Sequence, residues 1–265
     1  MIKANSCINV FKYLLIALTV YIEDYMKEPK DYIIFPLDVP TFDEAKRLIS
    51  LLANDIGIFK VGLELFISAG PEIIKYIHNA GTAKVFLDLK LHDIPATVER
   101  AAAIVGELGV KFATVHCGDS VTMLEGAVRG SGGKTGILGV TVLTSTGCDD
   151  LLNAGYKEEY CNDLSNLVTK KAMTAKKAGC AGVICSGLEV KKIKEICGAD
   201  FFAITPGIRP DWEELKTDDQ KRITTPADAV KNGSDYIVIG RPIRDAKSPV
   251  EAARKVASEI ASVIH

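Results

Sequence analysis

The sequence predicts a (β/α)8 TIM barrel, an α/β fold in which parallel strands form a central barrel and helices cover it. Three observations support this prediction. The chain has 265 residues, a length at which one barrel forms a complete domain. Short runs rich in β-branched and aromatic residues alternate with longer amphipathic segments from residue 31 onward, as in a parallel sheet flanked by helices. Charged residues within the short runs fall near their carboxyl ends, where barrels carry functional groups.

The strands and helices follow one another in regular order. The predicted strands are IIFPLD (33–38), GIFKVG (57–62), VFLDLK (85–90), FATVHC (112–117), GILGVTVL (136–143), GVICS (182–186), FFAITP (201–206) and YIVIG (236–240). Between them, segments such as TFDEAKRLISLLAN and ATVERAAAIVGELG repeat apolar residues every three or four positions, which predicts helices on the outside of the barrel. The longest irregular stretches, at residues 145–160 and 209–225, follow the fifth and seventh strands and are interpreted as functional loops.

The first 30 residues do not fit this pattern, and we interpret them as an N-terminal extension to a single barrel domain of residues 31–265. Residues 8–22 form an apolar run interrupted by Asn9 and Lys12. The run is shorter than the roughly 20 residues needed to cross a bilayer, and no small-residue cleavage site follows it. A secretory or membrane segment is the alternative interpretation. The favoured one is an upstream extension, with Met26 as the natural start.

Composition argues against several classes of partner and site. The formal net charge of -2 gives no global positive field for a nucleic acid or an anionic membrane. The seven cysteines show neither CxxC pairs nor the spacing of a disulfide framework, which favours a reducing, cytoplasmic compartment. The four histidines form no recognisable ligand set with them, so a structural zinc site is not expected.

Charged residues stand near the carboxyl ends of the first three strands, at Asp38, Lys60, Asp88 and Lys90. Inward positions there are apolar unless they serve a function. Asp88 and Lys90 are two residues apart, which points both side chains to the same face of a strand. A structural ion pair within the barrel is the alternative interpretation. Lys60 and the nearby Asp93 extend the charges into an alternating array and favour a reactive site.

The loops after the seventh and eighth strands carry TPGIRP (205–210) and IGRPI (239–243). Loops at these places are the usual phosphate-binding position of the fold. Gly207 and Gly240 allow close approach of the backbone, and Arg209 and Arg241 can each bind a phosphate through two hydrogen bonds. The alternative interpretation is that the glycines only form turns and the arginines only lie on the surface. The occurrence of a glycine and an arginine after each of two adjacent strands favours a phosphate site instead.

Taken together, these motifs resemble the orotidine 5'-phosphate decarboxylase family over about residues 31–260. The matching segments are, in order, LDVP, FKVGLELF, FLDLKLHDIPATV, GVTVLTS, ITPGIRP, DQKRITTP and YIVIGRPI. The resemblance implies decarboxylation of orotidine 5'-phosphate to UMP and CO2 in de novo pyrimidine biosynthesis. It further implies that the enzyme needs no metal or organic cofactor and is a cytoplasmic homodimer with shared active sites, with neither nucleic acid nor membrane as a partner.

The resemblance also implies roles for the charged array. Asp38 is expected to bind the ribose hydroxyls, and Lys60 to bridge the ribose and Asp88. Asp88 is expected to face the substrate carboxylate. Lys90 is expected to stabilise the C6 carbanion electrostatically and to protonate it, while Asp93 reaches the neighbouring subunit's site.

Further residues are implied to bind the substrate. Thr97 is expected to act in the neighbouring subunit's site, like Asp93, and Thr144 to contact the pyrimidine. The residues implied to grip the phosphate are Arg209, Gln220, Gly240 and Arg241.

Two other functions remain open from the residues themselves. The D-x-K motif is shared with related sugar-phosphate barrels, in which a keto-sugar-phosphate decarboxylase or aldolase uses Mg2+ to stabilise an enediolate. Such enzymes are expected to lack the HDIP continuation present at residues 92–95. A non-catalytic nucleotide-binding barrel is the other alternative, although the full charged array argues against it.

Overall fold

The computed structural model describes residues 27–118, 120–212 and 222–264. Parallel strands close into a barrel in sequential order, with the first strand pairing with both the second and the last. The strands are β1 Ile33–Pro36, β2 Ile58–Gly62, β3 Lys84–Leu91, β4 Phe112–His116, β5 Gly136–Val140, β6 Gly182–Ile184, β7 Phe202–Thr205 and β8 Tyr236–Val238. The (β/α)8 barrel expected from the sequence is therefore confirmed, with a strand at each predicted position.

Helices fill the connections between the strands and pack on the outside of the barrel. They are α1 Phe42–Leu52, α2 Leu63–Ala69, α3 Glu72–Ala80, α4 Pro95–Glu107, α5 Val121–Ser131, α6 Cys148–Asn153, α7 Glu159–Asn162, α8 Leu164–Lys177, α9 Val190–Cys197, α10 Pro226–Lys231, α11 Arg241–Arg244 and α12 Pro249–Ala261. Among the described residues, no helix is both long enough and apolar enough to cross a membrane.

Local sequence signals set where several helices begin. Thr41 caps α1 by accepting a hydrogen bond from the backbone N–H of Glu44 at 3.3 Å, and Thr225 caps α10 in the same way through Asp228 at 3.1 Å. Such caps satisfy backbone donors that have no partner within the helix. Pro95 stands in the first turn of α4, where its missing N–H removes no helical hydrogen bond.

The interior of the barrel changes from apolar to charged along the strands. A cluster of buried side chains from successive strands fills the amino-terminal half, and its members are Ile34, Ile58, Phe86, Phe112, Leu138, Ile204 and Tyr236. Phe86 of this layer, followed on β3 by Asp88 and Lys90, also lines the cavity above it; Phe86 and Asp88 face the same way, as the two-residue period of a strand requires. The apolar layer thus forms the floor beneath the charged end of the barrel.

Residues 27–32 cover the amino-terminal end of the barrel. Lys27 Nζ lies 3.7 Å from the centroid of the Tyr236 ring and 3.8 Å from that of Tyr32, and it donates a hydrogen bond to the carbonyl of Asp235 at 2.5 Å. The short helix Pro29–Tyr32 follows directly. Residues 27–30, assigned to the extension from the sequence, thus contact the barrel. The apolar run at 8–22 and Met26 lie outside the described residues.

Two of the cysteines pair, although their spacing did not predict it. Cys148 at the start of α6 and Cys161 in α7 form a disulfide with a Cα–Cα distance of 4.9 Å. The pair links two short helices of the loop between β5 and α8. The cysteine spacing gave no sign of this pair, because the approach of α6 to α7 depends on how the loop folds.

Candidate active site

A cavity of about 560 Å³ opens at the carboxyl ends of the strands. Its volume lies within the usual range of small-molecule sites. The wall combines charged side chains with apolar groups from β5 and β6 and the loops that follow them, including Val140, Val142, Leu143 and Ile184. Thr144, expected from the resemblance to contact a pyrimidine, lies on this apolar side of the cavity.

Alternating charges from three adjacent strands form one array at the cavity wall. Lys60 Nζ lies 3.0 Å from Asp38 Oδ1 and 3.6 Å from Asp88 Oδ2. Lys90 Nζ donates a hydrogen bond to the same Asp88 oxygen at 2.8 Å. Each buried charge therefore faces an opposite one, which offsets the energy of removing it from water. The structure brings these four sequence-predicted residues together.

Asp88 is the most enclosed member of the array. Its side chain is 11% exposed, against 56% for Asp38. Burial raises the pKa of the Asp88 carboxyl, but the ammonium groups of Lys60 and Lys90 and hydrogen bonds from Lys90 and Thr114 outweigh burial and hold the pKa below its usual range. Asp88 therefore remains a carboxylate at neutral pH.

The opposite side of the cavity is formed by glycines and arginines that follow β7 and β8. Gly207 adopts a left-handed conformation with φ of 78°. A Cβ on Gly240 would lie 2.7 Å from Pro36 Cγ, so only glycine fits against β1 at this position. Arg209 and Arg241 also line the cavity. Guanidinium groups and closely approaching backbone suit this side to an anion such as a phosphate.

Two backbone hydrogen bonds within the loop after β7 hold the side of the cavity that suits an anion. The backbone N–H of Arg209 donates to the carbonyl of Thr224 at 2.9 Å, and that of Thr224 donates to Gly207 at 3.2 Å. These two bonds form an isolated parallel bridge between Ile208 and Thr224. Gln220, implied by the resemblance to bind phosphate, lies outside the described residues.

Arg244 lines the cavity as well, and the sequence interpretation missed it. Its Nη1 donates to the backbone carbonyl of Asp38 at 3.1 Å, and its Nε pairs with Asp245 Oδ1 at 2.7 Å. The available signal was its place three residues after Arg241, on the same face of a helical turn. Arg244 therefore ties the anion side of the cavity to the Asp38 end of the charged array.

Asp93 and Thr97 do not line the cavity of their own chain. Asp93 is exposed in the loop after β3, and its Oδ1 accepts a hydrogen bond from the backbone N–H of Ile94 at 2.6 Å. Thr97 lies in the first turns of α4, where its hydroxyl accepts from Arg100 at 3.4 Å. Within one chain, both residues stand apart from the charged array.

The described residues contain no group of three or more His, Cys, Asp and Glu side chains placed to hold a metal ion. The charged array alternates lysines with aspartates, so each carboxylate is already paired with an ammonium group. Ammonium groups beside the carboxylates oppose the approach of a cation.

Known proteins are similar to this chain over most of its length. Residues 31–256 match the model of the orotidine 5'-phosphate decarboxylase / HUMPS family. The chain belongs to this family. Membership of the orotidine 5'-phosphate decarboxylase / HUMPS family confirms the resemblance carried by the motifs.

Individual relatives are similar over nearly their full lengths. Orotidine 5'-phosphate decarboxylase from Desulfosudis oleivorans is 52% identical over 235 residues, covering 88% of this chain and 94% of that protein. The protein of the same name from Geotalea uraniireducens is 42% identical over 242 residues, covering 89% and 98%. The crystal structure of orotidine 5'-phosphate decarboxylase from Lactobacillus acidophilus superposes with a TM-score of 0.73 at 37% identity, covering 86% of this chain and 98% of that one.

Proposed function

We propose that this chain decarboxylates orotidine 5'-phosphate to UMP and CO2, a step of de novo pyrimidine biosynthesis. The observation that carries the proposal is the alternating array of Asp38, Lys60, Asp88 and Lys90 in one cavity. Family membership and the names of its relatives support the same reaction. The cavity offers an anion side for the phosphate and a charged wall for the reacting carboxylate.

The chemistry calls for electrostatic stabilisation. When the bond from C6 to the carboxyl carbon breaks, its electron pair stays on C6 in an orbital of the ring plane. The π system of the ring cannot delocalise that pair. A fixed ammonium group beside C6 stabilises the developing carbanion and then transfers a proton to it. Lys90 takes this role, and solvent restores its proton after UMP leaves.

Asp88 contributes in two ways. Its Oδ2 holds the ammonium group of Lys90 at 2.8 Å, which fixes the proton donor in place. Because its pKa lies below the usual range, Asp88 also presents a negative charge to the substrate carboxylate. Repulsion between the two like charges falls as the carboxylate leaves as neutral CO2.

The remaining roles are those that the family resemblance implies, and the positions of the described residues in the cavity support them. Asp38 and Lys60 bind the ribose hydroxyls at the exposed end of the array, and Thr144 contacts the pyrimidine. The phosphate is gripped by residues of the β7 and β8 loops, namely Arg209, Gln220, Gly240 and Arg241. Binding energy from this remote dianion can be used to hold the reacting carboxylate against Asp88.

Asp93 and Thr97 serve the site of the neighbouring subunit in a homodimer. The support for this role is that both stand outside the cavity of their own chain, while Asp93 is exposed just beyond the strand that carries Lys90. A two-fold axis can bring such a loop into the partner's cavity. We also propose that the enzyme works without a cofactor in the cytoplasm, with neither nucleic acid nor membrane as a partner.

The test is a direct assay of the purified protein. The ultraviolet absorbance of orotidine 5'-phosphate should fall as UMP forms, and the rate should be the same with and without EDTA. A rate that needs Mg2+, or turnover of a keto-sugar phosphate instead, would identify the metal-dependent sugar-phosphate enzyme. Tight UMP binding with no release of CO2 would identify a nucleotide-binding barrel.

A further inference from the structure

Lys90 has an unusual backbone for a residue in a strand. With φ of 51°, it is the one residue other than glycine with positive φ in the described part of the chain. This left-handed region is sterically unfavourable for a residue with a Cβ, and it persists only where neighbouring groups hold it. The register between β3 and β4 also shifts between Leu87 and Leu91. Lys90 therefore lies in a bulge, where the regular backbone ladder is interrupted.

Where the ladder between β3 and β4 is interrupted, the hydroxyl of Thr114 on β4 contacts β3. Its Oγ1 accepts a hydrogen bond from the backbone N–H of Lys90 at 2.9 Å and lies 2.9 Å from Asp88 Oδ1. The N–H of Lys90 can only donate, so the single hydroxyl proton is left for the carboxylate. Thr114 is fully buried. One side chain thus contacts the backbone of Lys90 and the side chain of Asp88.

The two oxygens of Asp88 are held by different groups. Thr114 donates to Oδ1, whereas Lys90 Nζ donates to Oδ2 at 2.8 Å. With Oδ1 fixed, the carboxylate cannot rotate without losing a buried hydrogen bond. With the backbone of Lys90 fixed, the direction in which its side chain leaves the strand is also set. The positions of both Lys90 and Asp88 therefore depend on one hydroxyl group.

We propose that Thr114 is a positioning residue for the decarboxylation, holding the left-handed backbone of Lys90 and the orientation of Asp88. The inference rests on the proposed function, because Lys90 is taken as the proton donor. Thr114 itself does not line the cavity, so it acts through these two residues. A side chain that both accepts and donates a hydrogen bond is required at this position, and threonine and serine satisfy that requirement.

The test compares Thr114→Val with Thr114→Ser. Valine keeps the shape of threonine but removes both hydrogen bonds, so kcat should fall by about 100-fold, as when a reacting group is displaced by about 1 Å. The dissociation constant of UMP should change by less than about threefold, since ribose and phosphate contacts are retained. Thr114→Ser restores the hydroxyl and should recover kcat to within about fivefold of the wild type.

The pH profile gives a readout that a purely structural role would not move. Thr114 is one of the groups that lower the pKa of Asp88, beside Lys60 and Lys90; His116 on β4 also interacts electrostatically with Asp88. Loss of the Thr114 hydrogen bond should therefore raise the pKa of Asp88. In Thr114→Val, the acidic limb of kcat against pH should move to higher pH. Displacement of Lys90 from Asp88 would move the limb in the same direction, because Lys90 also lowers the pKa of Asp88.

Thr135→Val is the matched control. Thr135 is also buried, and its hydroxyl donates to the carbonyl of Val110 at 2.9 Å. It precedes β5, at the amino-terminal end of the barrel away from the cavity. Thr135→Val loses a buried hydrogen bond, as Thr114→Val does, and should therefore be less stable than the wild type. Its kcat and pH profile should nevertheless be those of the wild type.

The outcomes separate the two proposals. If the wild type does not turn over orotidine 5'-phosphate, the proposed function fails and takes the role of Thr114 with it. If the wild type is active and folded Thr114→Val has the kcat of the wild type, only the proposed positioning role of Thr114 is rejected. An equal loss in Thr135→Val likewise rejects it, since general loosening would then explain both. Should Thr114→Val not fold, Thr114→Ala removes the same two hydrogen bonds with a smaller side chain, and an unchanged kcat in that variant rejects the proposal.

Discussion

Lys90 Nζ donates a hydrogen bond to Asp88 Oδ2 at 2.8 Å from a position two residues farther along the same strand. The pair is completed by Lys60, whose Nζ lies 3.6 Å from the same oxygen. Asp88 therefore stays paired when Lys90 is removed. This redundancy allows the function of Lys90 to be tested without leaving a buried carboxylate unpaired.

The first prediction concerns Lys90→Ala. Turnover should fall by on the order of 10⁴-fold, because the variant lacks both the proton donor and the charge beside C6. UMP should still bind, since its phosphate and ribose contacts remain. Steady-state kinetics and calorimetric UMP binding measure the two effects. Lys84→Ala is the control, because Lys84 is exposed at the other end of β3. Substantial turnover in Lys90→Ala would remove Lys90 from the mechanism.

The second prediction concerns Arg241→Ala. The ratio kcat/KM for orotidine 5'-phosphate should fall by about 10- to 100-fold, as expected for the loss of a hydrogen bond to a charged group. The inhibition constant of UMP should rise, while that of uridine, which lacks the phosphate, should stay the same. Arg254→Ala should leave kcat/KM and both inhibition constants unchanged, because Arg254 pairs with Asp55 and does not line the cavity. Equal weakening of UMP and uridine would place Arg241 elsewhere than at the phosphate.

The third prediction concerns the start of the folded domain. A chain beginning at Met26 should fold and retain full activity.

In Lys27→Ala, the free energy of unfolding should be lower by about 1–2 kcal/mol, since Lys27 Nζ lies over the rings of Tyr32 and Tyr236. Urea denaturation measures both variants.

Lys30→Ala is the control for Lys27. Lys30 pairs with Glu28 at the surface, at 3.1 Å, and exposed pairs contribute little. A chain from Met26 that is insoluble or inactive would show that residues 1–25 are a structural or anchoring element. An unchanged stability of Lys27→Ala would show that the barrel does not need this contact.

These residues also show what the sequence can reveal. The alternation of β-rich and amphipathic segments is local, so each strand of the barrel could be located from the sequence. Asp88 and Lys90 stood out because charges on an otherwise apolar strand are unfavourable unless paired. The glycines and arginines after β7 and β8 were visible because the fold places them at known loops.

What was missed depends on contacts between distant segments. Thr114 looks like an ordinary β-branched residue of a strand, and its importance arises from a bulge in the neighbouring strand. Lys27 contacts Tyr236 across nearly the whole chain. The pairing of Cys148 with Cys161 depends on the fold of one loop. None of these relationships has a spacing that a sequence pattern could identify.

The last prediction tests the shared site. Lys90→Ala and Asp93→Ala should each be inactive alone, and a mixture of the two should regain activity after subunit exchange. In a hybrid dimer, one site contains Lys90→Ala together with the partner's Asp93→Ala, and the other site contains neither substitution. About half of the dimers are hybrids after random exchange, each with one intact site, so about a quarter of the wild-type activity per site should return.

The control mixture combines Lys60→Ala with Lys90→Ala. Lys60 and Lys90 line the same cavity within one chain, so each site of that hybrid carries one defect and the mixture should stay inactive. Subunit exchange is verified by mass spectrometry of differently tagged chains before the assay. If exchange is complete and the mixture containing Asp93→Ala also stays inactive, Asp93 acts within its own chain. Recovery in both mixtures would instead mean that Lys60 and Lys90 serve different sites, because an intact site can arise only when the two substitutions fall together in the other one.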